Sequence, residues 1–167
     1  ASGMDYTREV SVIDLDNDGD LDILSTAEGE DKVYWHKNNG SESFTTIVIS
    51  DNLEGAFCVD AADIDNDGDM DIVVTGFNDG KVVWYENNGS ELFTANELTL
   101  AYQPDALSLE DINKDGYIDI ITVETTGFQL QKVIWYQNSE NQTFTKNTLF
   151  EGNDYFFTPI DVVSADV

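Results

Sequence analysis

"VSVIDLDNDGDLDILS", at residues 10–25, carries aspartates at positions 14, 16, 18, 20 and 22, with a glycine at position 19. Carboxylates this close together repel one another unless a cation lies among them. The flanking segments are short and rich in β-branched residues, which favours a strand on either side. The stretch therefore predicts a cation-binding turn that joins two strands.

The chain contains this stretch three times. It returns as "VDAADIDNDGDMDIVV" at 59–74 and, more loosely, as "LSLEDINKDGYIDIIT" at 107–122. The leading aspartates Asp14, Asp63 and Asp111 are 49 and 48 residues apart. A constant period of this size indicates a repeat architecture.

A second block follows each aspartate stretch in the same register. It reads "KVYWHKNNGSESFT" at 32–45, "KVVWYENNGSELFT" at 81–94 and "KVIWYQNSENQTFT" at 132–145. The Asn-Asn-Gly segments predict a hairpin turn after the third strand of the repeat. A tryptophan occupies one shared repeat position, which predicts a packing role for Trp35, Trp84 and Trp135.

Each repeat contains four short β-branched or aromatic runs separated by Gly, Asn and Asp, without an apolar stripe of helical period. Four strands in about 50 residues match one blade of a β-propeller. The segment "DIVV" at 71–74 is apolar on consecutive positions, so both faces of its blade should be covered. We therefore predict an all-β fold of four-stranded antiparallel propeller blades in one segment, with blades at 9–57, 58–104 and 105–158, and 159–167 opening a fourth.

The patterns D-[IL]-[DN]-x-D-G-x-x-D-[IL] and V-x-W-[YH]-x-N together resemble the FG-GAP/VCBS repeat family, and the likeness spans nearly the whole chain. Members of that family form calcium-binding β-propellers in secreted bacterial proteins and, more distantly, in integrin α-subunits. The namesake FG and GAP segments are only approximate here, at 54–57, 75–77 and 126–128. The resemblance implies a secreted or cell-surface propeller nearer the bacterial branch.

The aspartate loop begins like an EF-hand, with oxygen donors at positions 1, 3 and 5 and glycine at position 6 for a sharp turn. It lacks the glutamate that an EF-hand carries at position 12, so we expect ligation to close at the position-9 aspartate. A backbone carbonyl at position 7 completes the set. The prediction is about three Ca²⁺ ions, held by Asp14, Asp16, Asp18, Asp20 and Asp22; by Asp63, Asp65, Asp67, Asp69 and Asp71; and by Asp111, Asn113, Asp115, Tyr117 and Asp119.

Charge count distinguishes the third loop from the other two. Asn113 stands where the first two loops have aspartate, which predicts the weakest calcium binding at the third site. Magnesium suits such loops less well because it prefers a small octahedron and keeps its waters. Zinc and copper are disfavoured because the chain has one histidine and one cysteine.

Overall charge narrows the classes of partner. The formal net charge is −27, from 34 acidic and 7 basic residues, which argues against nucleic acid and anionic membrane surfaces. No apolar run approaches the ~18 residues of a membrane-spanning helix, so no membrane insertion is expected. Cys58 is the single cysteine, which excludes an internal disulfide and predicts a small buried side chain.

Differences between the repeats indicate where a ligand binds. The third repeat has 16 residues from Asp119 to Trp135, against 13 in the first two, and the link after Phe144 is also longer. Such loops lie on one face of a propeller, opposite the aspartate loops. We predict a ligand face there, formed by Tyr102, Phe128, Gln129, Asp154, Tyr155 and Phe156.

These features favour a non-catalytic, calcium-stabilised binding or scaffold module, for adhesion or for recognition of an extracellular polysaccharide or protein. The alternative is part of a propeller-fold polysaccharide lyase. That chemistry needs a base and a cationic group, and the chain offers one histidine, His36, and one arginine, Arg8. Three blades are fewer than the four to eight that close a propeller, so we expect other copies or a larger chain to complete it.

Overall fold

The computed structural model describes residues 6–41, 43–100, 102–126 and 130–152. Within these ranges the regular structure consists of β-strands and one short 3-10 turn at Glu28–Glu30. The first sheet contains β1 (Thr7–Ile13), β2 (Asp22–Ala27), β3 (Lys32–Asn38) and β4 (Phe44–Ser50); the second contains β5 (Ala56–Ala62), β6 (Asp71–Gly76), β7 (Lys81–Asn87) and β8 (Phe93–Leu100); the third contains β9 (Pro104–Glu110), β10 (Asp119–Thr126), β11 (Leu130–Gln137) and β12 (Thr145–Gly152).

Each sheet is an antiparallel meander, because its four strands pair in the order in which they occur in the chain. The first strands of the sheets lie side by side, with β1 against β5 and β5 against β9. Sheets stacked around their first strands are consecutive propeller blades, which confirms the predicted fold class. We call them blade one, blade two and blade three; the predicted opening of a fourth blade at 159–167 lies outside the described residues.

Blade two is covered on both faces. Every residue of β6 is buried, and its side chains alternate between the neighbouring blades. Ile72 and Val74 pack against blade one, whereas Val73 packs against blade three. Burial of each such side chain contributes about 1.5–3 kcal/mol, and the apolar pattern of "DIVV" is thereby explained.

The repeated tryptophans join consecutive blades. Trp35 meets Phe93 of blade two edge to face, with ring centroids 6.3 Å apart. Trp84 meets Phe144 of blade three in the same way at 6.2 Å. Trp35 and Trp84 are both buried, as the shared repeat position predicts.

The connections between strands alternate between the two ends of each blade. The aspartate loops follow the first strand of each blade and share their end with the hairpins between the third and fourth strands. At that end a Cβ atom on Gly40 would collide with the carboxylate of Asp20, and Gly89 faces Asp69 in the same way.

Cys58 is buried as predicted, and no helix in the described ranges has the length and hydropathy of a membrane span.

Candidate metal-binding loops

The three aspartate loops share an unusual backbone. Glycine at position 6 has φ values of 95°, 97° and 92° at Gly19, Gly68 and Gly116, which confirms the predicted sharp turn. Position 4 also lies in the left-handed region, with φ of 57° at Asn17 and 60° at Asn66. Asparagine tolerates that conformation better than most residues, so its presence at position 4 was an available signal that sequence reasoning missed.

The first aspartate of each loop organises the turn. Asp14 accepts hydrogen bonds from the backbone N–H groups of Asp18, at 3.0 Å, and Gly19, at 2.9 Å. Asp63 and Asp111 accept the equivalent pairs in the other two loops. These bonds curl the chain around one carboxylate, and the other carboxylates of the loop are thereby brought towards it.

The carboxylates converge in the first two loops. Single oxygens of Asp14, Asp16 and Asp18 lie within 4.8 Å of one another, and those of Asp63, Asp65 and Asp67 do the same. In the third loop Asn113 donates from its Nδ2 atom to the carboxylate of Asp115 at 2.7 Å. Its amide oxygen also accepts the Asp115 N–H at 3.0 Å.

The position-9 aspartates lie beneath the loops. Asp22 is fully buried, and its two carboxylate oxygens accept the N–H groups of Asn38, at 2.7 Å, and Leu15, at 3.3 Å. It lies outside the group of three converging carboxylates, although each oxygen retains a second lone pair for a cation. Asp71 and Asp119 repeat this arrangement, so position 9 ties each loop to the hairpin of its own blade.

Burial of these aspartates affects their ionisation. Desolvation raises the pKa of Asp71 to about 6, and the hydrogen bond from the Asn87 N–H partly opposes that rise. The pKa of Asp119 is raised for the same reason. A carboxylate that is costly to ionise in isolation becomes easier to ionise beside a bound cation.

The position-7 residues were predicted to ligate through their backbone carbonyls. The side chains of Asp20 and Asp69 lie against Gly40 and Gly89 of the adjacent hairpins. Their N–H groups donate to the position-5 aspartates at 2.9 Å, and the N–H of Tyr117 does so at 3.0 Å. Ligation at this position stays a prediction.

Loop one contains a carboxylate oxygen whose surroundings fit a bound cation. Asp16 Oδ1 is buried and has no hydrogen-bond partner among the described residues. A buried carboxylate oxygen without a partner is unfavourable, because it has lost its hydration without compensation. The oxygen belongs to one of the three converging carboxylates, so a bound divalent cation would satisfy it. The donor set is all oxygen, which fits a hard cation such as Ca²⁺.

A lysine adjoins loop one. Lys37 Nζ lies 2.5 Å from Asp16 Oδ2 and 2.6 Å from Glu91 Oε1 of blade two. These two carboxylates raise the pKa of Lys37 above its usual value, so the lysine stays charged. The second oxygen of Asp16 is therefore already paired with a cation supplied by the chain.

Loop two has an acidic residue at the position where loop one has a lysine. The position of Lys37 in the repeat is occupied by Glu86 in blade two. The pKa of Asp65 is raised, first by burial and then by the negative charges of Asp67, Asp63 and Glu86. Loop two therefore concentrates negative charge that no lysine at this position offsets.

The loops are also linked to one another. Asn17 donates from Nδ2 to the carbonyl of Gly68 at 3.2 Å, and Asn66 donates to the carbonyl of Gly116 at 2.9 Å. Each bond crosses from one blade to the next and joins residues about 50 positions apart. Sequence reasoning missed these hydrogen bonds between blades, although the sequence has asparagine at the same position of two repeats.

The predicted ligand face is only partly described. Tyr102 is exposed between β8 and β9, at the end opposite the aspartate loops, and its carbonyl accepts the Thr125 N–H at 2.9 Å. Phe128, Gln129, Asp154, Tyr155 and Phe156 lie outside the described residues.

A cavity of about 210 Å³ lies where the first strands of the three blades begin, and it is lined in part by Arg8, Phe57 and Asp105. Asp105 Oδ2 accepts the Thr125 hydroxyl at 2.9 Å, whereas its buried Oδ1 has no partner among the described residues. Burial raises the pKa of this carboxyl.

Comparison with known proteins agrees with this architecture. No curated protein sequence matches the chain significantly. Among solved structures it is similar to an Agrocybe aegerita lectin, described for its specific recognition of non-reducing terminal N-acetylglucosamine. That likeness has 22% identity and a TM-score of 0.60, and it covers 90% of this chain but 40% of the lectin chain. At this identity it shows the fold alone.

A sequence model of a known repeat identifies the family of this chain. The FG-GAP-like repeat matches residues 14–74 and 69–122, which include all three aspartate loops and most of the described strands. The chain therefore belongs to the FG-GAP-like repeat family.

Proposed function

We propose that this chain is a non-catalytic binding module of a secreted or cell-surface protein, and that Ca²⁺ in the aspartate loops stabilises its propeller blades. The observation that carries the proposal is the convergence of three carboxylates in each of the first two loops, with a buried unpaired oxygen on Asp16. A bound cation offsets both the repulsion and the lost hydration.

Calcium suits these loops for a further reason. The predicted ligands are carboxylates, an amide oxygen and backbone carbonyls, which are the donors Ca²⁺ takes in flexible geometry. Extracellular modules bind calcium with dissociation constants of about 10⁻⁴–10⁻³ M, a range that is useful only where calcium is abundant. This requirement supports the proposed secreted or cell-surface location.

Carbohydrate is the ligand class that we favour. The similar lectin recognises a terminal sugar, and the end of the blades opposite the aspartate loops carries Tyr102 and the Asp105 cavity. An exposed aromatic ring and carboxylates are groups that stack on sugars and accept hydrogen bonds from their hydroxyls. Adhesion through such contacts is the role proposed for the module.

A packing role for His36 is consistent with a non-catalytic module. Its ring nitrogens contact the Ser25 hydroxyl at 2.9 Å and the Thr46 hydroxyl at 3.0 Å. Both partners are neutral, so the ring is held between strands without the acidic partner that usually orients a catalytic base.

The test is thermal unfolding of residues 1–167 with millimolar Ca²⁺, with millimolar Mg²⁺ and with excess chelator. Calcium alone is expected to raise the midpoint, because it binds the folded loops and not the unfolded chain. Coincident curves would contradict the calcium proposal.

The calcium-loaded protein is then applied to a glycan array that includes terminal N-acetylglucosamine, with the Tyr102→Ala variant as a comparison. Glycan binding that weakens in the variant is expected. The absence of any glycan signal would argue against a carbohydrate ligand, and ultraviolet absorbance of unsaturated product from uronate polymers would indicate a lyase instead.

A further inference from the structure

The first strand of each blade contains a β-bulge at one shared position of the repeat. The pairing of β1 with β2 is interrupted between Thr7 and Val10, and that of β5 with β6 is interrupted between Ala56 and Val59. In blade three β9 departs in the same way from its pairing with β10, beside Asp105. A bulge re-aims a side chain and is over-represented next to active sites.

The residues of the three bulges meet around the cavity of about 210 Å³ where these strands begin. Arg8, Phe57 and Asp105 hold one position of the repeat, 49 and 48 residues apart, and all three line the cavity. The packing positions of the blades repeat one residue type, as the tryptophans do, whereas this position carries a cation, an aromatic ring and an anion. Such a difference within a preserved repeat favours a role in binding over a role in the fold.

The charged groups of the cavity are unevenly paired. The guanidinium of Arg8 is bound by Glu28 and lies over the Phe57 ring, 4.9 Å from its centroid. Glu9 Oε2 accepts the Val59 N–H at 3.1 Å. Because Arg8 is already neutralised, the two carboxylates of the lining give the cavity a net negative charge.

Asp105 presents an acceptor that the described residues leave unsatisfied. Its Oδ2 atom accepts the Thr125 hydroxyl at 2.9 Å, which holds the carboxylate in place, whereas Oδ1 is buried and has no partner in the described part of the chain. Burial also raises the pKa of this carboxyl. A ligand that donates a hydrogen bond and carries positive charge would satisfy Oδ1 and offset the cost of ionising the group.

The size and lining of the cavity indicate an organic cation. A Ca²⁺ ion takes six to eight oxygen ligands, whereas Phe57, Ala106 and Leu107 line part of this cavity with apolar groups. The volume is below the roughly 300–1,000 Å³ of sites for drug-sized molecules, so it suits one sugar residue. Anions are disfavoured because Arg8 is paired and the chain has a net charge of −27, which attracts cations instead.

We propose that this cavity binds the primary ammonium group of an amino sugar residue, with Asp105 Oδ1 as its anionic partner. The apolar lining contacts the carbon atoms of the sugar ring, and Glu9 accepts hydrogen bonds from its hydroxyls with its remaining lone pairs. The choice of a sugar rests on the proposed function, whereas the ammonium group follows from the cavity itself. An N-acetylated sugar carries no charge at this nitrogen and should therefore bind less well.

An NMR titration of residues 1–167 in millimolar calcium, with four small ligands, tests the proposal. Glucosamine should bind at least tenfold more tightly than glucose or N-acetylglucosamine, which lack the ammonium group, and than ethanolamine, which lacks the sugar ring. The backbone N–H signals of Cys58 and Ala106 report on the cavity. Ethanolamine that binds as tightly as glucosamine would overturn the sugar, and equal binding of the three sugars would overturn the ammonium group.

Two aspartate variants separate the cavity from the general negative charge of the chain. Asp105→Asn keeps the size of the side chain and should weaken glucosamine binding at least tenfold. Asp51→Asn is the matched control, because it removes the same charge at an exposed position directly after β4, the outermost strand of blade one. It should leave binding unchanged, and equal effects of the two variants would overturn the assignment of Asp105.

The same titrations distinguish this inference from the proposed function. If glucose or N-acetylglucosamine binds to Asp105→Asn and to the unchanged protein alike, and glucosamine binds no better, the ammonium site is refuted and carbohydrate recognition stands. If no sugar binds, the inference fails. If the glycan array is silent as well, carbohydrate recognition fails with it.

Discussion

Loops one and two carry the same spaced aspartates and the same backbone turn, but one neighbouring position on the third strand has opposite charge in the two blades, Lys37 in blade one and Glu86 in blade two. In loop one Lys37 pairs with Asp16. In blade two the equivalent residue is Glu86, and its charge adds to the burial and the neighbouring aspartates that raise the pKa of Asp65. Two sites with one ligand pattern can therefore differ in cation affinity through a residue that lies outside the loop, on the third strand of the blade.

The difference changes the expected order of filling. Four predicted aspartate ligands and Glu86 give loop two a formal charge of −5, whereas four aspartates and Lys37 give loop one −3. Loop three also has −3, from three aspartates beside neutral Asn113 and Gln137. Because ligand charge tunes calcium affinity, we predict that loop two fills first. The count of loop ligands alone separates only loop three from the other two.

The largest expected effect comes from removing a ligand of each loop in turn. At calcium a hundredfold above its dissociation constant, a site contributes about 2.7 kcal/mol to the free energy of unfolding. Asp65→Ala should therefore lower the melting temperature in calcium by about 5–10 °C, and Asp16→Ala should lower it less. Both melts are repeated in chelator, where the calcium-dependent part of each loss should vanish. Equal losses in calcium would remove the distinction between the loops.

A second prediction changes the charge beside the loops without changing a ligand. Lys37→Gln should strengthen calcium binding at loop one about fivefold, and Glu86→Gln should weaken it at loop two by a similar factor, or about 1 kcal/mol each. Glutamine is the natural residue of blade three at this position. The backbone N–H signals of Gly19 and Gly68 in an NMR calcium titration report on each loop separately.

Lys81→Gln provides the control for that experiment. Lys81 pairs with Glu97 and Asp79 away from the aspartate loops, so its loss should leave both titrations unchanged. If Lys37→Gln also leaves them unchanged, the lysine does not tune loop one.

The smallest effect is expected from Asp105, a half-buried aspartate outside the loops. Burial raises the pKa of Asp105 in the folded protein, so the folded state binds more protons than the unfolded state above the ordinary aspartate pKa. The free energy of unfolding should therefore fall as pH rises through that region, with or without calcium. Asp105→Asn should flatten this part of the profile by less than about 1 kcal/mol. Urea unfolding between pH 4 and pH 7 measures it, and an unchanged slope in the variant would contradict the assignment.

Much of the fold was predictable because its causes are local. The period of the aspartate stretches, the β-branched runs and the Asn-Asn-Gly turns predict four-stranded blades, and β1 to β12 confirm them. The left-handed conformation of Gly19 and Gly68 was predictable as well, since a tight turn at that position requires it. The burial of Trp35 and Trp84 followed from their shared repeat position.

Other features were not predictable from the chain alone. The hydrogen bonds that Asn17 and Asn66 donate to the next blade depend on how two blades align, and the contact of Lys37 with Glu91 joins blade one to blade two. The complete burial of Asp22 beneath its loop also depends on the hairpin at Asn38. Each of these contacts joins residues that lie far apart in sequence, where no local pattern specifies a distance.

The sequence by itself determined the repeat, the strands and the presence of three acidic turns, because hydrogen bonding, side-chain alternation and backbone sterics act over a few residues. Only the tertiary structure decided which charges adjoin each turn and which faces of the blades are covered. Electrostatic interaction depends on distance through space, and burial depends on the packing of neighbouring blades. For this reason loops one and two look alike in the sequence and differ in the folded protein.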